Sequence, residues 1–163
     1  MATDNGIPTT TFTMPSDEEI SMTRVFDAPA EVVFDAWTSP DHVPQWMVGT
    51  GGWDMVVCEV DLRPGGEWRY VWRRDDGTAE MGMRGTYEEV DRPQRLVRTE
   101  TFEGWEGQTV NTLELSEDDG KTTITHTVRY PSKEERDKAL QARMREGSSQ
   151  SLDRLAEHLQ TIV

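Results

Sequence analysis

The sequence lacks most of the features that would assign a chain to a class at once. Its single cysteine, Cys58, excludes a disulfide within the chain. No stretch approaches the ~20 apolar residues that a membrane-spanning helix needs, and the first residues lack the basic-then-apolar pattern of a signal peptide. These absences predict a soluble, cytoplasmic protein that has no membrane partner.

Positive charge is also scarce. The chain has 17 Lys and Arg against 31 Asp and Glu, which gives a net charge of −14. Such a surface repels phosphate groups, so nucleic acid and anionic membranes are not expected partners. A solvated acidic surface does not by itself identify another partner.

Motifs of the common enzyme classes are missing as well. There is no G-x-S-x-G, no phosphate-binding loop and no dinucleotide fingerprint. His42, His126 and His158 fall in a short helix, a strand and the last helix, without the spacing of metal ligands. The sequence therefore predicts no metal and no cofactor, and it identifies no catalytic residue.

Turn residues divide the rest of the chain into short elements. Residues 1–17 are rich in Thr and Pro without periodicity, which predicts a disordered N-terminal tail before a single domain of residues 18–163. Residues 19–27 alternate as a first strand. Two short helices follow, opened by Pro29 and by Ser39-Pro40.

Six further strands and one long helix complete the predicted order. The strands are separated by turn signals and span residues 54–62, 67–73, 78–90, 96–102, 109–115 and 121–130. A capping box formed by Ser132 and Glu135 opens a helix that runs to the C-terminus. Strands joined by tight turns form an antiparallel meander, and the long helix must cover its apolar face, which predicts an α+β fold.

The last helix also predicts a cavity beneath its middle. Its second half carries Leu152, Leu155 and Leu159 at helical spacing, but residues 147–151 read Gly-Ser-Ser-Gln-Ser. A helix packed on a sheet along its whole length would present large apolar residues there. Small and polar residues indicate space between helix and sheet, with Ser148 and Ser151 beside it.

The last hairpin predicts polar groups on the face toward that space. A turn at Asp119-Gly120 would place Leu113 opposite His126, whereas a turn at Asp118-Asp119 would place Asn111 opposite His126. In both registers Asn111 and His126 share the core face, because side chains alternate with period two. Two interpretations stay open: the pair satisfies its own hydrogen bonds and serves only the fold, or it fixes the polar end of a ligand.

Aromatic and thioether side chains supply an apolar wall. Six tryptophans are a high share for this length, and ligand pockets are mostly apolar with a few placed polar groups. Trp53 and Trp105 stand in glycine-flanked segments and are predicted as gates. The predicted ligand-binding residues are Trp46, Met47, Trp53, Trp68, Tyr70, Met81, Met83, Thr99, Thr101, Trp105, Asn111, His126, Met144, Ser148 and Leu152.

Four segments resemble a known family. Residues 24–34 (RVFDAPAEVVF), 36–38 (AWT), 61–66 (DLRPGG) and 127–132 (TVRYPS) are similar to the SRPBCC superfamily, and more narrowly to homologues of the activator of the heat-shock protein 90 ATPase. The resemblance implies a START-like helix-grip fold. In that fold a curved seven-stranded antiparallel sheet surrounds a long C-terminal helix, with two short helices after strand 1 and a hydrophobic cavity.

Two differences from that pattern fall where the cavity is expected. Trp46-Met47 stands where relatives often have paired tryptophans, and His126 interrupts an inward face that is usually apolar. The main hypothesis is therefore a protein that binds a small hydrophobic or amphipathic ligand, anchored by Asn111 and His126. The alternatives are a cyclase- or hydrolase-type enzyme that uses His126 as acid or base, and a partner of an Hsp90-type ATPase. A homodimer also stays open.

Overall fold

The computed structural model describes residues 9–47, 52–104 and 106–162. The strands are β1 Thr11–Thr13, β2 Glu19–Phe26, β3 Trp53–Val60, β4 Glu67–Arg74, β5 Glu80–Asp91, β6 Arg95–Phe102, β7 Thr109–Asp118 and β8 Lys121–Arg129. The helices are α1 Ala30–Thr38, α2 Val43–Trp46, α3 Lys133–Gln141 and α4 Met144–Ile162. None of the helices in these ranges is long and apolar enough to cross a membrane.

All strands join one antiparallel sheet in the order β1-β2-β8-β7-β6-β5-β4-β3. One face of this sheet packs with α1, α2 and α4 around a core that includes Phe34, Trp68 and Leu155. The predicted α+β helix-grip architecture is confirmed. The predicted count of seven strands is wrong by one, because Thr11–Thr13 adds a short strand beside β2.

That extra strand lies in the segment predicted as a disordered tail. Residues 1–8 of the tail lie outside the described residues, but Phe12 pairs with Met22 in the sheet. Local composition could not predict this strand, because its hydrogen bonds depend on an edge formed elsewhere in the chain. The domain boundary at residue 18 stays a prediction.

The predicted long helix is two helices. It begins as expected, since the Ser132 hydroxyl accepts a hydrogen bond from the Glu135 backbone N–H at 3.1 Å. The helix then ends at Gln141, and Arg143 adopts a left-handed conformation with φ of 66° before α4 begins. Neither Ala142 nor Arg143 signals this break, because both are good helix formers.

The two helices have different tertiary attachments. In α3, the buried Arg136 donates to the Ser16 carbonyl at 3.0 Å. In α4, Asp153 forms an ion pair with the buried Arg24 of β2, and Leu155 is fully buried in the core. α3 is therefore held by the connection between β1 and β2, and α4 by β2 itself and by the core, and we infer that these attachments set the break.

Strands β5 and β6 approach each other closely at Gly85. A Cβ atom at this position would overlap the Thr99 carbonyl oxygen. The same oxygen accepts a hydrogen bond from Trp68 Nε1 at 3.2 Å. Glycine is therefore required here by the space available and by the strand spacing.

Gly85→Ala is expected to lower the free energy of unfolding by about 1–3 kcal/mol, as overpacking does, because the Thr99 backbone must move. Gly147→Ala in α4 is the matched control, since a Cβ there meets no atom within 4 Å. The control should gain about 0.5–1 kcal/mol from helix propensity. Urea unfolding measures both, and equal stability of the two variants would contradict the close approach.

Candidate functional site

The last hairpin adopts the first of the two predicted registers. Asp118 pairs with Lys121, and Leu113 pairs with His126. Asp119 and Gly120 both have positive φ, at 55° and 76°, as the two central residues of a type I′ turn require. His126 therefore lies diagonal to Asn111 on the inward, concave face of the sheet.

Asn111 and His126 form a hydrogen bond. The distance from His126 Nε2 to Asn111 Oδ1 is 2.8 Å. Asn111 Nδ2 in turn donates to Thr109 Oγ1 at 2.9 Å, and the indole of Trp37 meets the imidazole edge-on at 5.9 Å between centroids. The pair thus satisfies part of its own hydrogen bonding, as one interpretation predicted, while a further role toward a ligand stays a prediction.

His126 is neutral at pH 7. Burial lowers its pKa to about 4, and the positive charge of Arg98 acts in the same direction. By accessible surface the residue His126 is nevertheless only half-buried, whereas Asn111 is 4% exposed. His126 is therefore surrounded by protein yet still reached by water.

Arg98 lies beside this pair and was not predicted. It pairs directly with Asn111 across β6 and β7, and it is 5% exposed. Its Nη1 donates to the Tyr70 hydroxyl at 2.9 Å, and its Nη2 contacts Glu100 Oε2 at 3.0 Å. A permanent charge on the concave face is thus neutralised by a carboxylate on the same strand.

Aromatic rings enclose the guanidinium. Its Cζ lies 3.8 Å from the centroid of Trp68 and 5.3 Å from that of Tyr70. The hydroxyl of Tyr87 is buried without a hydrogen-bond partner among the described residues, and burial raises the pKa of Tyr87. This end of the concave face is therefore a dense cation–π cluster.

Two half-buried groups near Arg98 and Glu100 are held in their neutral forms. Burial raises the pKa of the Cys58 thiol to about 11, against the opposing effect of Arg98. Burial, and then the charge of Glu100, raise the pKa of Tyr130 to about 12. Cys58 is therefore a poor nucleophile at neutral pH.

The small residues near the start of α4 lie on the same side of the helix as its buried leucines. Gly147, Ser148 and Ser151 precede Leu152 and Leu155 at helical spacing. The leucines are buried, but the three small residues are only half-buried. The helix therefore fills the core in its second half and leaves its inward side partly accessible near its start.

Several predicted wall residues are on the concave face. Trp68, Tyr70 and Met83 are buried there on adjacent strands. Met81 lies on the same face but is 43% exposed. Met144 and Ser148 are half-buried, and Leu152 is a core residue at 3% exposure.

The other predicted tryptophans and Met47, including the predicted gates Trp53 and Trp105, have different surroundings. Trp46 is 1% exposed, donates its Nε1 to the Ala36 carbonyl at 2.8 Å and belongs to the core. The Met47 carbonyl accepts a hydrogen bond from Trp72 Nε1 at 2.7 Å. Trp53 is half-buried, and Trp105 lies outside the described residues.

Thr99 and Thr101 are on the wrong face to line this region. Side chains alternate along β6, and Arg98 shares the face of its partner Asn111, so the threonines point to the opposite side. Arg98 and Glu100 are the inward residues that sequence reasoning missed. The signal that could have found them is the β6–β7 register, which places Leu96 opposite Leu113.

The predicted internal cavity stays a prediction, and two concavities of the described residues lie elsewhere. Two surface concavities of about 540 Å³ are present, one on α3 around Asp137 and one around Glu18 and Arg129. Neither is lined by a predicted site residue. Within the same ranges, no group of three or more His, Cys, Asp or Glu side chains is arranged to hold a metal ion.

Comparisons with known proteins place this geometry in a family. Residues 27–160 match the family model described as Activator of Hsp90 ATPase homolog 1-like protein. Among curated proteins, none matches the chain.

Solved structures share the fold over nearly the whole chain. A Rhodobacter sphaeroides protein is 27% identical, with a TM-score of 0.89 over 94% of this chain and 99% of its own. A Mycobacterium smegmatis protein is 24% identical, with a TM-score of 0.83 over 96% of this chain and 100% of its own. An AHSA1-like protein from Aeromonas hydrophila is 20% identical, with a TM-score of 0.69 over 88% of this chain and 93% of its own.

The low pKa of His126 makes folding stability depend on pH. In the unfolded chain His126 binds a proton below about pH 6.5, whereas in the folded protein it binds one only below about pH 4. The unfolded state therefore binds more protons between these pH values, and acidification across this range favours unfolding. We expect the wild type to lose up to about 3 kcal/mol more than His126→Gln between these pH values. Carboxylates titrate in the same range, so the quantity measured is the difference between the two proteins in urea unfolding. Parallel pH profiles would contradict the lowered pKa of His126 in the folded protein.

Proposed function

The chain belongs to the family of Activator of Hsp90 ATPase homolog 1-like proteins, and on that basis we propose that it binds a small, mainly apolar ligand between the concave face of the sheet and α4. A helix-grip domain of this family is suited to binding a ligand in general. We add to this that the ligand is mainly apolar and that it binds between the concave face and α4.

The observation that carries the proposal is partial exposure on a face that should be buried. His126, Glu100 and Thr109 point inward yet are half-buried, whereas Leu113 and Ile124 on the same face are buried. In a completed core, inward polar groups are excluded from water and paired. Accessible polar groups among buried apolar ones are typical of a binding site.

The surroundings favour an apolar ligand body. Trp68 and Met83 form part of the concave face, and Ser148 of α4 is half-buried. Phe102 and Met81, on the adjacent strands β6 and β5, are 45% and 43% exposed. Exposed apolar side chains beside the half-buried polar groups Glu100, Thr109 and His126 suit a ligand that enters with its polar end first.

The enzyme alternative is weaker. A general acid or base works best when its pKa lies near the working pH. His126, with a pKa of about 4, is a neutral imidazole at pH 7, so it lacks the second, acidic proton of an imidazolium and is only a weak base. The same neutral imidazole is well suited to hydrogen-bonding a bound ligand.

Filling the space beneath α4 tests the proposal. Ser148→Leu should lower the affinity for a bound lipid, flavonoid or polyketide at least tenfold, because the added side chain occupies the ligand's place. Intrinsic tryptophan fluorescence measures binding, since Trp37 and Trp68 border the site. Gln150→Leu, at an exposed position of the same helix, is the matched control.

The stability of Ser148→Leu shows whether the variant is folded, and burial of the new side chain should raise it by about 1 kcal/mol. Equal binding by both variants would refute a site at this place. A partner of an Hsp90-type ATPase would instead co-purify with that protein through moderate salt, and Ser148→Leu would not weaken the association.

A further inference from the structure

The hydrogen bond between Asn111 and His126 fixes the position of the imidazole proton. Asn111 Nδ2 donates to Thr109 Oγ1, which leaves its carbonyl oxygen facing His126 Nε2 at 2.8 Å. A carbonyl oxygen only accepts, so Nε2 must carry the proton. In the neutral imidazole the other nitrogen, Nδ1, is then an acceptor with a free lone pair.

Solvent reaches that acceptor. His126 Nδ1 makes no hydrogen bond within residues 9–47, 52–104 and 106–162. The buried side-chain polar atoms without a partner in the same ranges are Arg24 Nε and the Tyr87 hydroxyl oxygen. Because Nδ1 is not one of them and His126 is half-buried, this atom keeps some solvent-accessible surface.

The neighbouring charges disfavour an anionic group at this place. Both Nη atoms of Arg98 are engaged, by Tyr70 and Glu100, and its side chain is 6% exposed. The Glu100 carboxylate is more accessible, at 16% of its side chain. An incoming anion would therefore meet a lone pair and a carboxylate before it reached an arginine that is already neutralised.

We propose that the polar end of the ligand is a neutral hydrogen-bond donor, a hydroxyl group, which donates to His126 Nδ1. The assignment rests on the proposed function, because it requires a ligand on the concave face. It excludes a carboxylate at this position, and it makes His126 the residue that selects the ligand's polar group.

Three ligands of one shape test the assignment. 2-Naphthol offers a donor, 2-methoxynaphthalene has the same oxygen without its proton, and 2-naphthoate carries a negative charge. At pH 7 the naphthol should quench tryptophan fluorescence with an affinity at least tenfold above the other two, because a site built to pair with a hydroxyl rejects analogues that lack it. His126→Phe should bring the affinities for naphthol and methoxynaphthalene to within about twofold.

Each other outcome is decisive. Tighter binding of naphthoate would overturn the inference and leave the proposed function standing, with Arg98 as the charge partner. Equal binding of naphthol and methoxynaphthalene would overturn it in the same way. If none of the three binds, the proposed function fails and this inference fails with it.

A second measurement needs no variant and no ligand. The nitrogen chemical shifts of His126 in the wild-type protein should identify the tautomer protonated at Nε2, with Nδ1 unprotonated at pH 7. The opposite tautomer would overturn the assignment even if a ligand binds.

Discussion

A buried guanidinium constrains much of this structure. Arg98 carries its charge at any accessible pH, and a charge removed from water must find acceptors and opposite charge. Glu100 and the Tyr70 hydroxyl supply them, and the face of Trp68 lies 3.8 Å away. Gly85 lets β5 and β6 come close enough for Trp68 to hydrogen-bond the Thr99 carbonyl.

The half-buried polar groups Glu100, Thr109 and His126 in turn suggest why the inward residues of α4 are small in its first half and large and apolar in its second. Leu155 and Leu159 complete an apolar core, where close packing stabilises. Large apolar side chains packed over half-buried polar groups such as His126 and Glu100 would remove those groups from water without new partners, which is costly. Gly147, Ser148 and Ser151 add no such bulk, as the proposed binding site beneath α4 requires.

Part of the site followed from local pattern. The sequence predicted Asn111 and His126 on one inward face, because side chains along a strand alternate between its two faces. Both possible hairpin registers place the two residues on the same face. For β6 the sequence predicted Thr99 and Thr101 as ligand-binding residues, but the strand pairing places Arg98 and not Thr99 on the face of Asn111. Only the pairing with β7 distinguishes the faces, since it places Arg98 against Asn111.

The sequence alone determined the order of the elements, the antiparallel meander, the start of the C-terminal helical segment at Ser132 and the resemblance to the family. These depend on turn residues, capping and periodicity, which act over a few neighbouring positions. The tertiary structure decided the strand Thr11–Thr13, the helix break at Arg143 and the burial of Arg98. Each of these depends on partners far away in the chain, such as β2, the Ser16 carbonyl and Tyr70, whose positions no local pattern contains.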